Sequence, residues 1–387
     1  MKSIKNTINL MVNSDIVSAF VMAYCFFAVY CPPFAKLVFQ PSILQSMRIL
    51  GFVMIFIFYF AKVIIRKRIS FLVLSSSMFA LYILFMSYLN HSADSVIYLY
   101  QVINLICAVL INDIFSSDNK KYLFYIVVLF VLSSYLLADI ILYIINFITT
   151  NHGYQYYIYS NRNVMFVYLI PIFLLYNFFI NSKYRHYYVI VVSISILYNI
   201  IHQAFTSSIV FIVFIIYNYY LNKNKNIYNF QTSFTLMLII VSFIFFSLVY
   251  FGTSSIFVII AEKISNVIPK LQSLYDRAEI YDVVRDYCLI HPFFGYGYKY
   301  YYDGVEVYRR NFVLTHNTIF DILIYGGIFA IIGFFINQYI VVDNCKYDKK
   351  YQAYVIFSLL CITLRDMFES TSLYFIFFNY GLLYYFI

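Results

Sequence analysis

The sequence predicts an all-α integral membrane protein, a polytopic bundle of about twelve transmembrane helices with one large external loop containing a short amphipathic helix. Three observations carry this expectation. Of 387 residues, 63% are hydrophobic and only 11% charged, whereas a soluble domain carries about 25% charged residues to cover its surface. Apolar stretches of about 20 residues recur along the whole chain, the length that a bilayer core of about 30 Å asks of a helix. These stretches are continuous rather than alternating apolar and polar, which excludes a membrane barrel.

In chain order the spans are expected near 16–39, 48–65, 70–89, 95–115, 122–147, 164–180, 186–202, 205–221, 231–252, 317–341, 351–366 and 371–387. The first follows Lys2 and Lys5 without a small-residue cleavage motif after it, so it reads as retained rather than as a removable signal. The pair near 186–202 and 205–221 is separated only by His202-Gln203-Ala204, leaving two spans, a broken helix pair or a re-entrant turn as readings. The whole chain, 1–387, reads as a single membrane domain with no repeat and no low-complexity tract.

Charge orients it. The net charge is +9, but the basic residues cluster between apolar spans, which is the positive-inside pattern and not a nucleic-acid footprint. Lys2/Lys5, Arg66-Lys67-Arg68, Lys120-Lys121, Lys183/Arg185, Lys223/Lys225 and Lys346/Lys349-Lys350 fall on one side, so both termini are expected in the cytoplasm. Two long external loops follow, 148–163 and 253–316; the second holds seven acidic and seven basic residues and is expected to be structured. There are 44 Tyr, 43 Phe and no Trp, so tyrosine must form the interfacial belts. Six cysteines lie at 25, 31, 107, 288, 345 and 361 without paired spacing, against a disulfide framework or a zinc site; Cys25, Cys107 and Cys361 are expected to be packing groups.

The chemistry concentrates in 276–333. Asp276 to Leu289 reads as a helix with Asp276 as N-cap, Glu279 completing the box, and Ile280, Val283, Val284 and Tyr287 as its apolar face. Pro292 should stop it. Arg277 and Arg285 suit phosphate oxygens, because a guanidinium binds them as a fork; pairing with Asp282 or Asp286 is the plainer account of Arg285. Gly295 and Gly297 in His291-Pro292-Phe293-Phe294-Gly295-Tyr296-Gly297 read as a tight turn. Thr315 or Asn317 can cap a helix starting near Thr318, which leaves His316 at an N-terminus that attracts anions and favours neutral imidazole. A neutral imidazole there is a candidate general base. Arg309-Arg310 form a loop basic patch, and Arg162, in Asn161-Arg162-Asn163 at a span start, is costly in lipid and hence a candidate site group. Asp113, Asp139, Asp321 and Arg365, Asp366 and Glu369 lie at or within helices; Arg365 and Glu369 have the i, i+4 spacing of an ion pair. No Asp-x-Asp, HExxH, Walker or GxGxxG pattern is present.

Arg277, then HPFFGYG, then His316-Asn317 opening an apolar helix with Gly326-Gly327 and Gly333 resembles the signature region of the O-antigen polymerase and ligase superfamily. The resemblance covers about 150–335 in its specific features, and the family's Ser-Arg near a later helix appears here as Thr206-Ser207-Ser208 without the arginine. It implies a bacterial inner-membrane glycosyltransferase that transfers an undecaprenyl-diphosphate-linked glycan to a sugar hydroxyl of another lipid-linked repeat. The product would be an O-antigen or capsule. The resemblance further implies His316 and Arg277 as catalytic residues. It extends loosely to Arg162 and not to Arg285; Arg162, Arg285, Asn317, Arg309 and Arg310 are the candidate contacts to diphosphate or glycan, with no metal and no cofactor expected. Membrane lipids and the lipid-linked oligosaccharide are the implied partners, with flippase and chain-length-regulator proteins as candidates and no nucleic acid. An O-antigen ligase is the alternative within the class, and a flippase for lipid-linked oligosaccharide the alternative outside it.

Overall fold

A computed structural model describes residues 15–32, 35, 39–90, 95–116, 118–150, 164–201, 205–223, 236–237, 239–240, 242, 256–265, 272–298, 317–367 and 371–385. Among these, the regular structure is helical throughout and no strand occurs. The helices are α1 (Asp15–Val29), α2 (Pro41–Arg66), α3 (Phe71–Leu89), α4 (Ser95–Phe115), α5 (Asp118–Thr150), α6 (Val164–Leu174), α7 (Tyr176–Phe179), α8 (Arg185–Ile201) and α9 (Phe205–Lys223). After these come α10 (Ile256–Ser265), α11 (Gln272–Ile290), α12 (Thr318–Asp343), α13 (Lys349–Asp366) and α14 (Leu373–Tyr384). Among the described residues, four helical stretches are long and apolar enough to cross a bilayer: Pro41–Arg66, Phe71–Leu89, Lys120–Ile145 and Thr318–Asp343. Shorter apolar helices include Ile16–Val29, Leu99–Phe115, Arg185–Ile201, Ser208–Tyr219 and Leu373–Tyr384. The chain is a membrane protein.

The early spans are corrected in their bounds. The first does not run to residue 39: α1 ends at Val29, just before Pro32, whose ring and missing N–H do not continue a helix. The next starts at Pro41, seven residues ahead of the expected 48, because a proline suits the first helical turn, where its N–H would have no partner. The expected 164–180 span is interrupted at Leu175, which leaves the helical conformation (φ −94°, ψ 10°) between α6 and α7.

The chain divides into two compact units interleaved along the sequence. The first comprises 1–73, 103–218 and 373–387. In it α1 and α2 form a close hairpin. A Cβ on Gly51 would lie 2.3 Å from Ala28 Cβ, so the backbones approach as only small residues permit. Arg48 Nε donates to the Ala28 carbonyl at 2.9 Å, a cation at a helix C-terminus. The opposite face of α2 exposes Ile49, Val53, Ile57, Phe60 and Ile64 at helical spacing, an apolar stripe suited to lipid. Within the bundle, Lys62 pairs with Asp113 at 3.0 Å and the Tyr198 hydroxyl donates to Asp139, so both expected intramembrane carboxylates have internal partners. Cys25 and Cys107 are fully buried, and Cys361 of the other unit nearly so, the environment of packing groups.

The second unit comprises 74–102 and 219–372 and holds α10 to α13. Its defining feature is that α12 is not continuous. Gly326 (φ −147°, ψ 16°) and Gly327 (φ 62°, ψ −158°) depart from helical geometry and split it into two halves. The span expected near 317–341 is present as Thr318–Asp343, with this break inside it.

Candidate functional site

The break in α12 is filled by the HPFFGYG turn. Tyr296 N–H donates to the Ile324 carbonyl at 2.7 Å and Gly297 N–H to the Tyr325 carbonyl at 3.0 Å, so the last carbonyls of the first half-helix find donors in the turn. Conversely, Ile328 N–H donates to the Pro292 carbonyl at 2.8 Å and Phe329 N–H to the Phe293 carbonyl at 3.4 Å. Backbone groups freed by the break are therefore satisfied inside the protein, as apolar surroundings demand. Two glycines make this approach possible. Gly295 (φ +65°) and Gly327 (φ +62°) adopt conformations that favour glycine, and a Cβ on either would come within 2.4 Å of backbone atoms of the other segment. The expected turn at Gly295 and Gly297 is thus real, and its packing against α12 is what requires it. From α3, the Tyr82 hydroxyl donates to the Gly326 carbonyl at 2.9 Å and Ser87 Oγ accepts from Tyr298 N–H at 2.8 Å.

This clamp makes α11 and α12 a parallel pair. The rings of Tyr281 and Phe320 meet with centroids 5.0 Å apart, and further along both chains Pro292 bonds to Ile328. Both helices therefore run from the Tyr281–Phe320 contact towards the clamp, and their N-terminal ends lie at the same end of the pair. Arg277 is one turn ahead of Tyr281 in α11, and Asn317 immediately precedes α12. Asn317 is the N-cap: its Oδ1 accepts from Ile319 N–H at 2.9 Å and Phe320 N–H at 3.2 Å. That settles the choice between Thr315 and Asn317, and it directs Asn317 Oδ1 to the helix rather than outward.

Other expectations about α11 change. The helix begins at Gln272, so Asp276 is internal and not its cap. The first turn of helix is already formed before Asp276, so the N–H groups that need a cap lie upstream of it. Among its described side chains Ala278, Ile280, Tyr281, Val284 and Cys288 are buried, whereas Val283 is only half-buried, because Tyr281 is drawn onto Phe320; the Tyr287 side chain lies outside the described residues. The helix does end at Ile290, two residues before Pro292. Arg285 pairs with Asp282 at 2.9 Å and Asp286 at 3.3 Å, the plainer of its two expected roles. Arg162, Arg309, Arg310 and His316 lie outside the described residues, as does the side chain of Arg277.

Asp321, in the first turn of α12, is buried at 4% exposure, and burial together with its nearby charge pushes the Tyr298 phenol up to about 12. Tyr298 therefore stays a neutral hydroxyl donor beside this helix start at physiological pH.

A family model described as O-antigen ligase matches residues 188–335, a segment that contains α11, the HPFFGYG turn, His316-Asn317 and both sides of the α12 break. Over that segment the chain is similar to the O-antigen polymerase and ligase superfamily. No curated protein matches the chain in sequence. That similarity points to function of the polymerase or ligase type, that of a membrane glycosyltransferase-like enzyme. The described residues that form the clamp, 292–297 and 324–329, all fall within the matched segment.

The ionisable cluster expected at Arg365 and Asp366, outside the matched segment, is an internal ion pair; sequence reasoning missed its link to Thr371 and Thr318. The Arg365 guanidinium bonds Asp366 Oδ1 at 2.9 Å and Thr371 Oγ1; Glu369, its expected i, i+4 partner, lies outside the described residues. The i, i+4 spacing is a local signal, whereas Thr371 lies beyond the end of α13. Among the described residues no group of three His, Cys, Asp or Glu is arranged to hold a metal ion.

Proposed function

We propose that this protein polymerises a bacterial surface polysaccharide, O-antigen or capsule, from undecaprenyl-diphosphate-linked repeats at the outer face of the inner membrane. The observation that carries the reading is the parallel α11–α12 pair, which brings the turn bearing Arg277 and the capped start of α12 to one end within the matched segment. His316 is joined directly to that cap in sequence. In the reaction, a sugar hydroxyl of the acceptor attacks the anomeric carbon of the donor glycan. Its proton passes to the neutral His316 imidazole, the glycosyl–oxygen bond breaks, and undecaprenyl diphosphate leaves with the bonding pair. Arg277 stabilises the departing diphosphate, aided by Arg162 and by the loop arginines Arg309 and Arg310. Asn317 holds the helix start, and Arg285, through Asp282 and Asp286, holds the surface of α11. Because the lipid diphosphate is itself an activated leaving group, the reaction is assigned no metal and no cofactor.

Purified protein in detergent, given lipid-linked repeats and a chelator, is expected to make longer lipid-linked glycans without ATP or sugar nucleotide. His316→Ala and Arg277→Ala should abolish chain growth at unchanged protein level, and Arg277→Lys should be poor because a point charge does not replace a fork. Growth restored only by added metal would overturn the metal-free reaction. Transfer to lipid A-core in place of a second repeat would make the protein a ligase. No product, with movement of the repeat across liposomes, would make it a flippase.

The basic clusters support an arrangement with both termini in the cytoplasm and 148–163 and 253–316 outside. In a cysteine-free background, Asn151→Cys and Lys299→Cys should label from outside and Lys223→Cys should not. The reverse pattern overturns the topology.

A further inference from the structure

At the start of α12 sits a buried ionic cluster that the proposed reaction does not use. Arg365 and Asp366 end α13 and are each 1% exposed. Arg365 Nη1 donates to Asp366 Oδ1 and to Thr371 Oγ1, and the Thr371 hydroxyl donates to the same carboxylate oxygen at 2.8 Å. The Thr371 backbone N–H in turn donates to Thr318 Oγ1 at 2.8 Å. Thr318 is fully buried and is the first residue of α12, one position after the Asn317 cap.

Such a cluster is a poor device for stability alone, since desolvating two charges costs much of what their attraction returns. Asp366 Oδ2 has no partner among the described residues, which makes the balance less favourable still. What the cluster achieves is geometric. Both charges converge on one hydroxyl, that of Thr371, and fix the rotamer and backbone of the residue that grips Thr318. A helix start otherwise frays, because its first N–H groups have no partner within the helix. Here the start is held twice, by the Asn317 cap from within and by Thr371 from the neighbouring turn.

We propose that Arg365 is a positioning residue for glycosyl transfer: through Asp366 and Thr371 it anchors Thr318 and so fixes the Asn317-capped start of α12, to which His316 is joined in sequence, relative to α11. The proposal rests on the transferase reading above. Displacement of a reacting group by about 1 Å can cost up to about 100-fold in rate, so a tether two residues from the candidate base has leverage without touching substrate.

The test uses the full-length protein carrying Thr318→Val, Thr318→Ser or Arg365→Lys. Thr318→Val removes the acceptor of the Thr371 N–H with almost no change of shape. It is expected to keep normal abundance and lower kcat about tenfold, leaving KM for the lipid-linked donor within about twofold. Thr318→Ser should restore the rate. Hydrogen exchange in the peptide 317–325 should accelerate in Thr318→Val and not in Thr318→Ser, a readout independent of activity. Arg365→Lys should give the same kcat loss, and combining it with Thr318→Val should add nothing further, since both cut one tether. Wild-type kcat or unchanged exchange in Thr318→Val overturns the proposal, as do additive losses in the double variant. A wild-type protein that makes no polymer refutes the transferase reading instead, and the exchange measurement then still decides whether the tether exists.

Discussion

α2 and α12 have the same length, 26 residues, and both are long and apolar enough to span a bilayer, yet they are built for opposite tasks. Only 22% of the apolar stretch of α2 is buried within the protein, against 56% for α12. α2 is uninterrupted from Pro41 to Arg66, turns Val53, Ile57, Phe60 and Ile64 outward at helical spacing, and meets α1 at one glycine. α12 is broken at two glycines and receives a loop into the gap. An apolar surround tolerates a broken helix only where other protein groups bond the freed backbone. The difference teaches that hydrophobicity sets which segments enter the membrane, whereas the pattern of backbone satisfaction sets which of them carry a site.

The largest expected effect follows from the clamp. Gly327→Ala would place a Cβ 2.3 Å from the Phe293 carbonyl group while forcing a side chain into φ +62°. Neither neighbour is a flexible side-chain end, so strain and overpacking add to about 3 kcal/mol. The variant is expected to lose most of its folded protein, measured as abundance and as thermal unfolding midpoint in detergent. A Gly327→Ala protein of normal stability would mean that the HPFFGYG turn does not occupy the break, and the parallel register of α11 and α12 would lose its main support. Gly295→Ala tests the same junction from the other side, where a Cβ would meet the Ile324 carbonyl at 2.4 Å.

Parts of this arrangement are readable from the residues. Pro292 closes α11 as expected, Asn317 caps α12, and the glycines of HPFFGYG make a turn, because each of these signals acts within a few residues of itself. The break in α12 is not readable in the same way. Gly326-Gly327 in an apolar run is equally consistent with close helix packing, and what decides the matter is a set of hydrogen bonds from the turn at 292–297, far upstream in sequence. The same holds for Arg365: its bond to Thr371 joins residues on either side of the end of α13, and no spacing rule within a helix points to that partner. The start of α11 moved from Asp276 to Gln272 for a milder version of the reason, since a capping box describes a possible helix start and neighbouring packing extends it.

Gly51→Ala sharpens the comparison at its other pole and should have the smaller effect. The added methyl would lie 2.3 Å from Ala28 Cβ, so α1 and α2 must separate by about an ångström, at a cost of about 1–3 kcal/mol. Alanine recovers part of this, about 1 kcal/mol, through its better helix propensity. Nothing else in the pair forbids the movement: Gly51 keeps ordinary helical geometry, α2 is continuous, and its far face is apolar and unencumbered. The bond from Arg48 to the Ala28 carbonyl and that from the Tyr24 hydroxyl to the Met47 carbonyl should lengthen together, since both cross the same hairpin. The expected result is a net loss near 1 kcal/mol, seen as a modest fall in unfolding midpoint, with chain growth retained by the protein that remains folded. A Gly51→Ala loss as severe as that of Gly327→Ala would erase the contrast, because it would show that a continuous lipid-facing helix is held as tightly as the broken one.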